Sequence, residues 1–238
     1  MAVESSCDGA ISIRVTSVTS CSLPTVTIGF ATFARMSDVS LAPSRSARPV
    51  LVDLVVGLRH RTAVLVVAGA LLTAAASQIR IPLGFTPVPI NLGTFAVALT
   101  GGALGARRGA MSIGVYLALG LVGLPFFQGW NGGWSYATGT TAGYLVGYLA
   151  MAVVVGAAAE RGGDRRPLPF LAAIVLANAV VYVLGASWLA YRLGVPMFGG
   201  SSSAWELGVR PFLAGDAVKM VAAALLFPAA WRFVGSER

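Results

Sequence analysis

The sequence predicts an all-α, polytopic membrane protein with six transmembrane helices and both termini in the cytoplasm, and three observations carry that expectation. The 238 residues are 56% hydrophobic and only 11% charged, with a mean hydropathy of +0.79. Apolar stretches recur at 62–79, 92–106, 110–124, 141–159, 168–193 and 211–234. The arginines gather in the short segments between them. A soluble domain carries roughly a quarter charged residues. Too few charges are present here to cover a globular surface, so lipid has to cover part of it.

Taken in order, residues 1–49 come first and have a different character. Ser, Thr and scattered charges dominate, and the weak strand-like runs at 11–18 and 26–33 have no convincing partners. A basic start followed by an apolar core, the mark of a signal peptide, is missing. The segment reads as a disordered N-terminal extension, or as sequence upstream of a functional start near Met36. Cys7 and Cys21 are the only cysteines and neither lies near a histidine; zinc needs four ligands, so no metal is expected. Residues 50–238 then form the six-helix transmembrane domain.

A spanning helix needs ~17–25 residues. The second and third segments fall short and have to lean on their neighbours. Small residues pervade all six, as close helix packing in lipid requires. Ala70 and Ala74, four apart on the first segment, present one flat face. That face serves either packing within the chain or docking of a partner helix, and the docking reading is the sharper expectation.

Six spans place both termini on one side. Arg14, Arg35, Arg45, Arg48, Arg59 and Arg61 precede the first span, and Arg232 and Arg238 close the chain. Arg107, Arg108, Arg161, Arg165 and Arg166 fall in the two connections on that same side, against only Arg80, Arg192 and Arg210 on the other. The richer side is cytoplasmic. The net charge of +8 therefore reflects topology. Nucleic acid is not expected as a partner, because no continuous basic stripe exists.

The inventory of reactive residues excludes much. Lys219 is the only lysine, and no G-x-x-x-x-G-K-[ST] surrounds it, so no ATPase site is expected in the chain. His60, the single histidine, sits between Arg59 and Arg61, where it reads as an interface residue. No Ser-His-Asp or H-E-x-x-H arrangement can be assembled, and no catalytic residue is assigned.

What remains lies on the outer side. Phe85-Thr86-Pro87-Val88-Pro89 joins the first two spans. Each proline drives its predecessor out of the helical region, giving a stiff connection that is either a plain rigid loop or a lid. The next outer loop, Gly129-Trp130-Asn131-Gly132-Gly133-Trp134-Ser135-Tyr136, combines glycines that admit close approach with aromatic walls. Its alternative reading is a flexible loop anchored at the interface by tryptophan. Asp216 and Lys219, three apart in the last span, share a helix face. Each costs roughly 2.5–3.5 kcal/mol at the centre of an inserting helix, so such charges default to functional sites facing the protein interior. A buried ion pair that fixes packing is the plainer alternative.

Several runs resemble one family. They are F-T-P-V-P-I-N-L at 85–92, A-L-G-A-R-R-G-A at 103–110, G-L-V-G-L-P-F-F at 120–127, N-G-G-W at 131–134, G-T-T-A-G-Y-L-V-G at 139–147 and G-D-A-V-K at 215–219. In order and spacing they resemble the BioY family, the biotin-specific substrate-binding (S) components of energy-coupling factor (ECF) transporters. The resemblance implies a multi-pass protein of the cell membrane that captures biotin from outside. It also implies a separate transmembrane scaffold subunit, two ATP-hydrolysing subunits, and no cofactor.

The substrate-binding residues it implies, together with the loop reading above, are Thr86, Asn91, Asn131, Tyr136, Thr141, Tyr144, Asp216 and Lys219. Biotin suits this set: its ureido ring offers two N–H donors and a carbonyl, and its apolar tail ends in a carboxylate. The chain departs from the family run Ile-Thr-Leu-Gln-Thr, having Ile90-Asn91-Leu92-Gly93-Thr94. It also lacks the proline of Gly-Pro-Thr-Gly-Gly-Tyr, having Gly139-Thr140-Thr141-Ala142-Gly143-Tyr144. An S component for another small vitamin is the nearest alternative. An intramembrane enzyme using Asp216 and Lys219 as acid and base is the alternative from a different class.

Overall fold

The computed structural model describes residues 50–54 and 62–235, so the expected extension over 1–49, both cysteines and His60 lie outside the described residues. The described chain is almost wholly helical. In order come α1 (Thr62–Gln78), α2 (Gly93–Leu104), α3 (Ala106–Val122), the short α4 (Trp134–Ala137), α5 (Ala142–Glu160), α6 (Pro167–Leu193), the short α7 (Ala204–Gly208) and α8 (Leu213–Gly235). The long helices fall on the apolar segments read from the sequence. Among the described residues, three stretches are long and apolar enough to cross a membrane, Ala142–Glu160, Pro167–Leu193 and Ala204–Phe233, while Thr62–Gln78 and Gly93–Leu104 are shorter apolar helices.

Between α1 and α2 the chain makes a feature that proline spacing did not suggest. A two-residue strand β1 (Arg80–Ile81) pairs antiparallel with β2 (Ile90–Asn91), Arg80 opposite Asn91 and Ile81 opposite Ile90. The proline-rich run is thus the tip of a hairpin. At the far end of α2 a single residue, Gly105, turns the chain directly into α3. Its φ of 84° favours glycine, and Glu160 Oε1 accepts the otherwise orphaned N–H of Ala106 at 2.8 Å. Arg107 and Arg108 therefore belong to the first turn of α3 rather than to a loop.

Close approach explains the wealth of small residues. A Cβ on Gly147 of α5 would stand 2.8 Å from Val181 Cα of α6, and one on Gly101 of α2 2.8 Å from the Ala152 carbonyl of α5. Larger side chains at either point would push the helices apart. Buried hydroxyls add directed contacts, with Ser112 Oγ of α3 donating to the Val66 carbonyl of α1 at 2.8 Å.

The same packing corrects the docking expectation for α1. Ala70 and Ala74 are 1% and 7% exposed and belong to the main core cluster beside Val97, Ile113 and Tyr116. The flat face they make is turned inward, where small side chains let α1 lie close to its neighbours. The exposed face of α1 instead carries Val64, Val67, Leu71 and Leu72.

At the end of the bundle opposite the hairpin, α5 and α6 are joined through a 3-10 turn, Gly163–Arg165. Asp164 is fully buried there. Trp231 Nε1 of α8 donates to its Oδ2 at 2.6 Å, and the Arg165 guanidinium stands 4.5 Å from the centre of the Trp231 ring. Burial pushes the Asp164 carboxyl above its ordinary range, partly offset by the Trp231 hydrogen bond and the Arg165 charge. This cluster ties the last helix to the α5–α6 turn and leaves the hairpin end to form the site.

Candidate functional site

The hairpin end holds an open cavity with about 600 Å³ of empty space, part of it continuous with solvent. Ser77 near the end of α1 lines the cavity, and the next residue, Gln78, braces the wall from behind. Its Nε2 donates to the Phe127 carbonyl at 3.1 Å and stands 3.3 Å from that of Phe126, while its Oε1 accepts Trp130 N–H at 2.8 Å. One amide thus holds both edges of the loop after α3. Trp130 adopts a φ of 61°, uncommon for a residue with a side chain, in the tight reversal that pairs Phe127 with Asn131.

That reversal sends Phe127 and Gln128 inward. Phe127 stacks on Tyr136 at 5.5 Å between ring centres and meets Tyr116 edge-on at 5.7 Å, arrangements favoured by the ring quadrupoles. Burial raises the phenol of Tyr136, while contacts with Gln128 and Thr141 and the charge of Arg80 pull it back. The Tyr136 hydroxyl is held as a neutral hydrogen-bonding group.

The floor is polar and fully knitted. Asp216 is 5% exposed. Its Oδ1 accepts Lys219 Nζ at 2.7 Å and Thr94 Oγ1 at 3.4 Å, and its Oδ2 accepts Tyr182 Oη at 2.5 Å. Lys219 Nζ also donates to the Asn91 carbonyl at 2.5 Å, which leaves one of its three N–H groups for a ligand. The Asn91 side chain accepts the Gly93 N–H at 2.8 Å and Tyr148 Oη at 3.3 Å, and donates to Gln128 Oε1 at 2.6 Å. The result is a net-neutral network that still offers a donor and acceptor lone pairs toward the cavity. Beneath it lies a smaller space of about 190 Å³ bordered by Met151, Ile174, Asn178 and Met220.

Of the residues expected from sequence, Asn91, Tyr136, Thr141, Tyr144, Asp216 and Lys219 line the main cavity together. Tyr144 donates to the Gly208 carbonyl at 2.7 Å and so ties α5 to α7 over its rim. Thr86 and Asn131 stand outside the lining. Thr86 Oγ1 donates to the Leu207 carbonyl at 2.6 Å and accepts Val88 N–H at 3.2 Å, fastening the hairpin tip to α7. Asn131 Nδ2 donates to the Gln128 carbonyl at 2.9 Å, fixing the loop that presents Gln128.

Ser77, Thr94, Tyr116, Gln128, Tyr148 and Tyr182 also line the cavity and were not singled out from sequence. A signal existed for Ser77, Thr94 and Gln128, polar residues at the hairpin-side end of an apolar helix or next to the glycine-rich loop, whereas Tyr116, Tyr148 and Tyr182 lie deeper in their helices and carried none.

The fold and this cavity define a helical membrane protein that holds a small molecule at one end of its bundle. Comparison with known sequences carries that further: the chain belongs to the BioY family, whose sequence profile matches residues 45–236. It is similar to the biotin transporter BioY of Rhizobium etli, 39% identical over 153 residues that cover 61% of this chain and 79% of that protein. It is also similar to the probable biotin transporter BioY of Pyrococcus horikoshii, 35% identical over 65% of this chain and 86% of that one. Among solved structures, it resembles the S-component for biotin from an ECF-type ABC transporter. That likeness has a TM-score of 0.66 and 25% identity, covering 73% of this chain and 92% of the other.

Proposed function

We propose that this chain is the biotin-capturing S component of an ECF-type importer. One observation supports the reading above all others. A family of biotin transporters supplies the fold, and in that fold Asp216, Lys219, Asn91 and Gln128 meet at the floor of a cavity with tyrosine walls. A neutral ureido ring suits such a floor. Its N–H groups donate to Asp216, its carbonyl accepts from the free N–H of Lys219, and neither charge has to be separated from the other. Tyr136, Tyr144 and Tyr148 enclose the fused rings and tail.

In this reading the protein captures and carries biotin and performs no chemistry on it. Energy for uptake comes from a transmembrane scaffold subunit with two ATP-hydrolysing subunits, since no nucleotide site is legible in the chain. A titration of the purified protein with biotin, desthiobiotin and thiamine tests it. Biotin should bind tightest and without ATP hydrolysis, while equal or tighter binding of thiamine removes the assignment.

The six main helices serve as six spans of the cell membrane, with both termini cytoplasmic and the hairpin end outside. The distribution of arginines supports that orientation. With Cys7 and Cys21 replaced by serine, single cysteines placed at Ser135 and Ser202 should react with a membrane-impermeant reagent in intact cells. Reaction only after lysis reverses the orientation.

A further inference from the structure

Resting on the biotin reading, we propose that Arg80 reads the carboxylate of the ligand's tail at the cavity mouth, so that biotin binds with its ureido ring at the Asp216–Lys219 floor and its acid end outward.

Three neighbours place Arg80 at the rim. Its register partner across the hairpin is Asn91, its guanidinium lies over Gly129, the residue after Gln128, and its charge is felt by Tyr136. Asn91, Gln128 and Tyr136 all line the cavity. Gly129 allows this seat: a Cβ there would stand 2.7 Å from Arg80 Cζ. The guanidinium is thus laid across the loop next to the residues that line the cavity.

Charge decides which end of the ligand goes where. Asp216 already occupies the floor, and its partner Lys219 is committed to it at 2.7 Å. A second carboxylate brought there would face a like charge in a poorly solvated place. At the rim the balance is opposite. Among the described residues, Glu206 is the acid paired with Arg210 at 2.7 Å, and no ion pair engages Arg80. A planar guanidinium with several free N–H groups is the group best matched to a carboxylate. Because Arg80 is exposed, its contribution is one of selectivity more than of gross affinity.

The test compares biotin with its primary amide, which keeps the rings and tail length and removes the charge. Wild-type protein should prefer biotin by about 2- to 5-fold. Arg80→Gln should weaken biotin by that factor and leave the amide unchanged, erasing the preference. Arg80→Lys should keep part of it, and raising the salt concentration should shrink it. Unchanged amide binding reports an intact fold in each variant. If Arg80→Gln retains the full preference, the carboxylate is read elsewhere and the assignment is wrong. If wild-type protein binds neither compound, the biotin reading itself fails and the orientation falls with it.

Discussion

Replacing Asp216 by asparagine should lower biotin affinity at least tenfold while the protein still folds. Tenfold corresponds to about 1.4 kcal/mol, a modest demand on a residue at the centre of the floor. The carboxylate accepts from Lys219, Tyr182 and Thr94. Asparagine keeps the shape and one carbonyl acceptor, but loses the charge that holds Lys219 and one of the acceptors needed by a ureido N–H.

Alanine is harsher at either position, because it leaves a buried partner uncompensated, at about 3–5 kcal/mol by analogy with soluble proteins. Asp216→Ala or Lys219→Ala should therefore lower the yield of folded protein as well as binding. A double change, Asp216→Asn with Lys219→Met, separates the two roles. Removing both charges should restore thermal stability toward wild type and leave biotin binding lost. The paired readouts are melting temperature without biotin and dissociation constant with it. Wild-type affinity in well-folded Asp216→Asn protein would assign the pair to packing and take the floor out of the site.

How much of this was legible in the sequence depends on the kind of signal. Helix placement was legible because apolar runs of membrane length leave few alternatives, and the Asp216–Lys219 pair was legible because charge inside such a run is costly. The turn at Gly105 was misplaced. Arg107 and Arg108 look like loop residues, and nothing local shows that one glycine suffices when Glu160, far along the chain, caps the next helix.

Ala70 and Ala74 failed for a related reason. A small-residue stripe states that something packs closely, and only the fold states that the partner is internal. The tyrosines were hidden differently. Tyr148 and Tyr182 sit in runs where an aromatic residue is unremarkable, and their hydroxyls acquire meaning only through Asn91 and Asp216. The hairpin escaped because a two-residue pairing has no periodicity to read.

Installing the family's glutamine alone, Gly93→Gln, should lower biotin affinity by about tenfold or more and lower the melting temperature. A Cβ at 93 would stand 2.6 Å from Tyr148 Oη, 2.9 Å from Asn91 Oδ1 and 3.1 Å from Ser77 Oγ. All three neighbours are tied into the site, with Ser77 Oγ 3.4 Å from Tyr116 Oη and Asn91 joined to Gln128. Overpacking of this kind typically costs about 1–3 kcal/mol.

Asn91 and Gly93 should therefore behave as a coupled pair. The longer amide at 91 stands where a side chain from 93 would begin, and its Oδ1 takes up the Gly93 N–H. The family pair, Asn91→Thr with Gly93→Gln, should recover most of what Gly93→Gln loses, because threonine vacates the contested space while the Asn91 backbone carbonyl bound by Lys219 survives the change. A double-mutant cycle on affinity and melting temperature should show a coupling of about 0.5–3 kcal/mol in the favourable direction. Additive effects of the two changes would mean that Asn91 and Gly93 are independent, and that the space beside Tyr148 is not what keeps a side chain out of position 93.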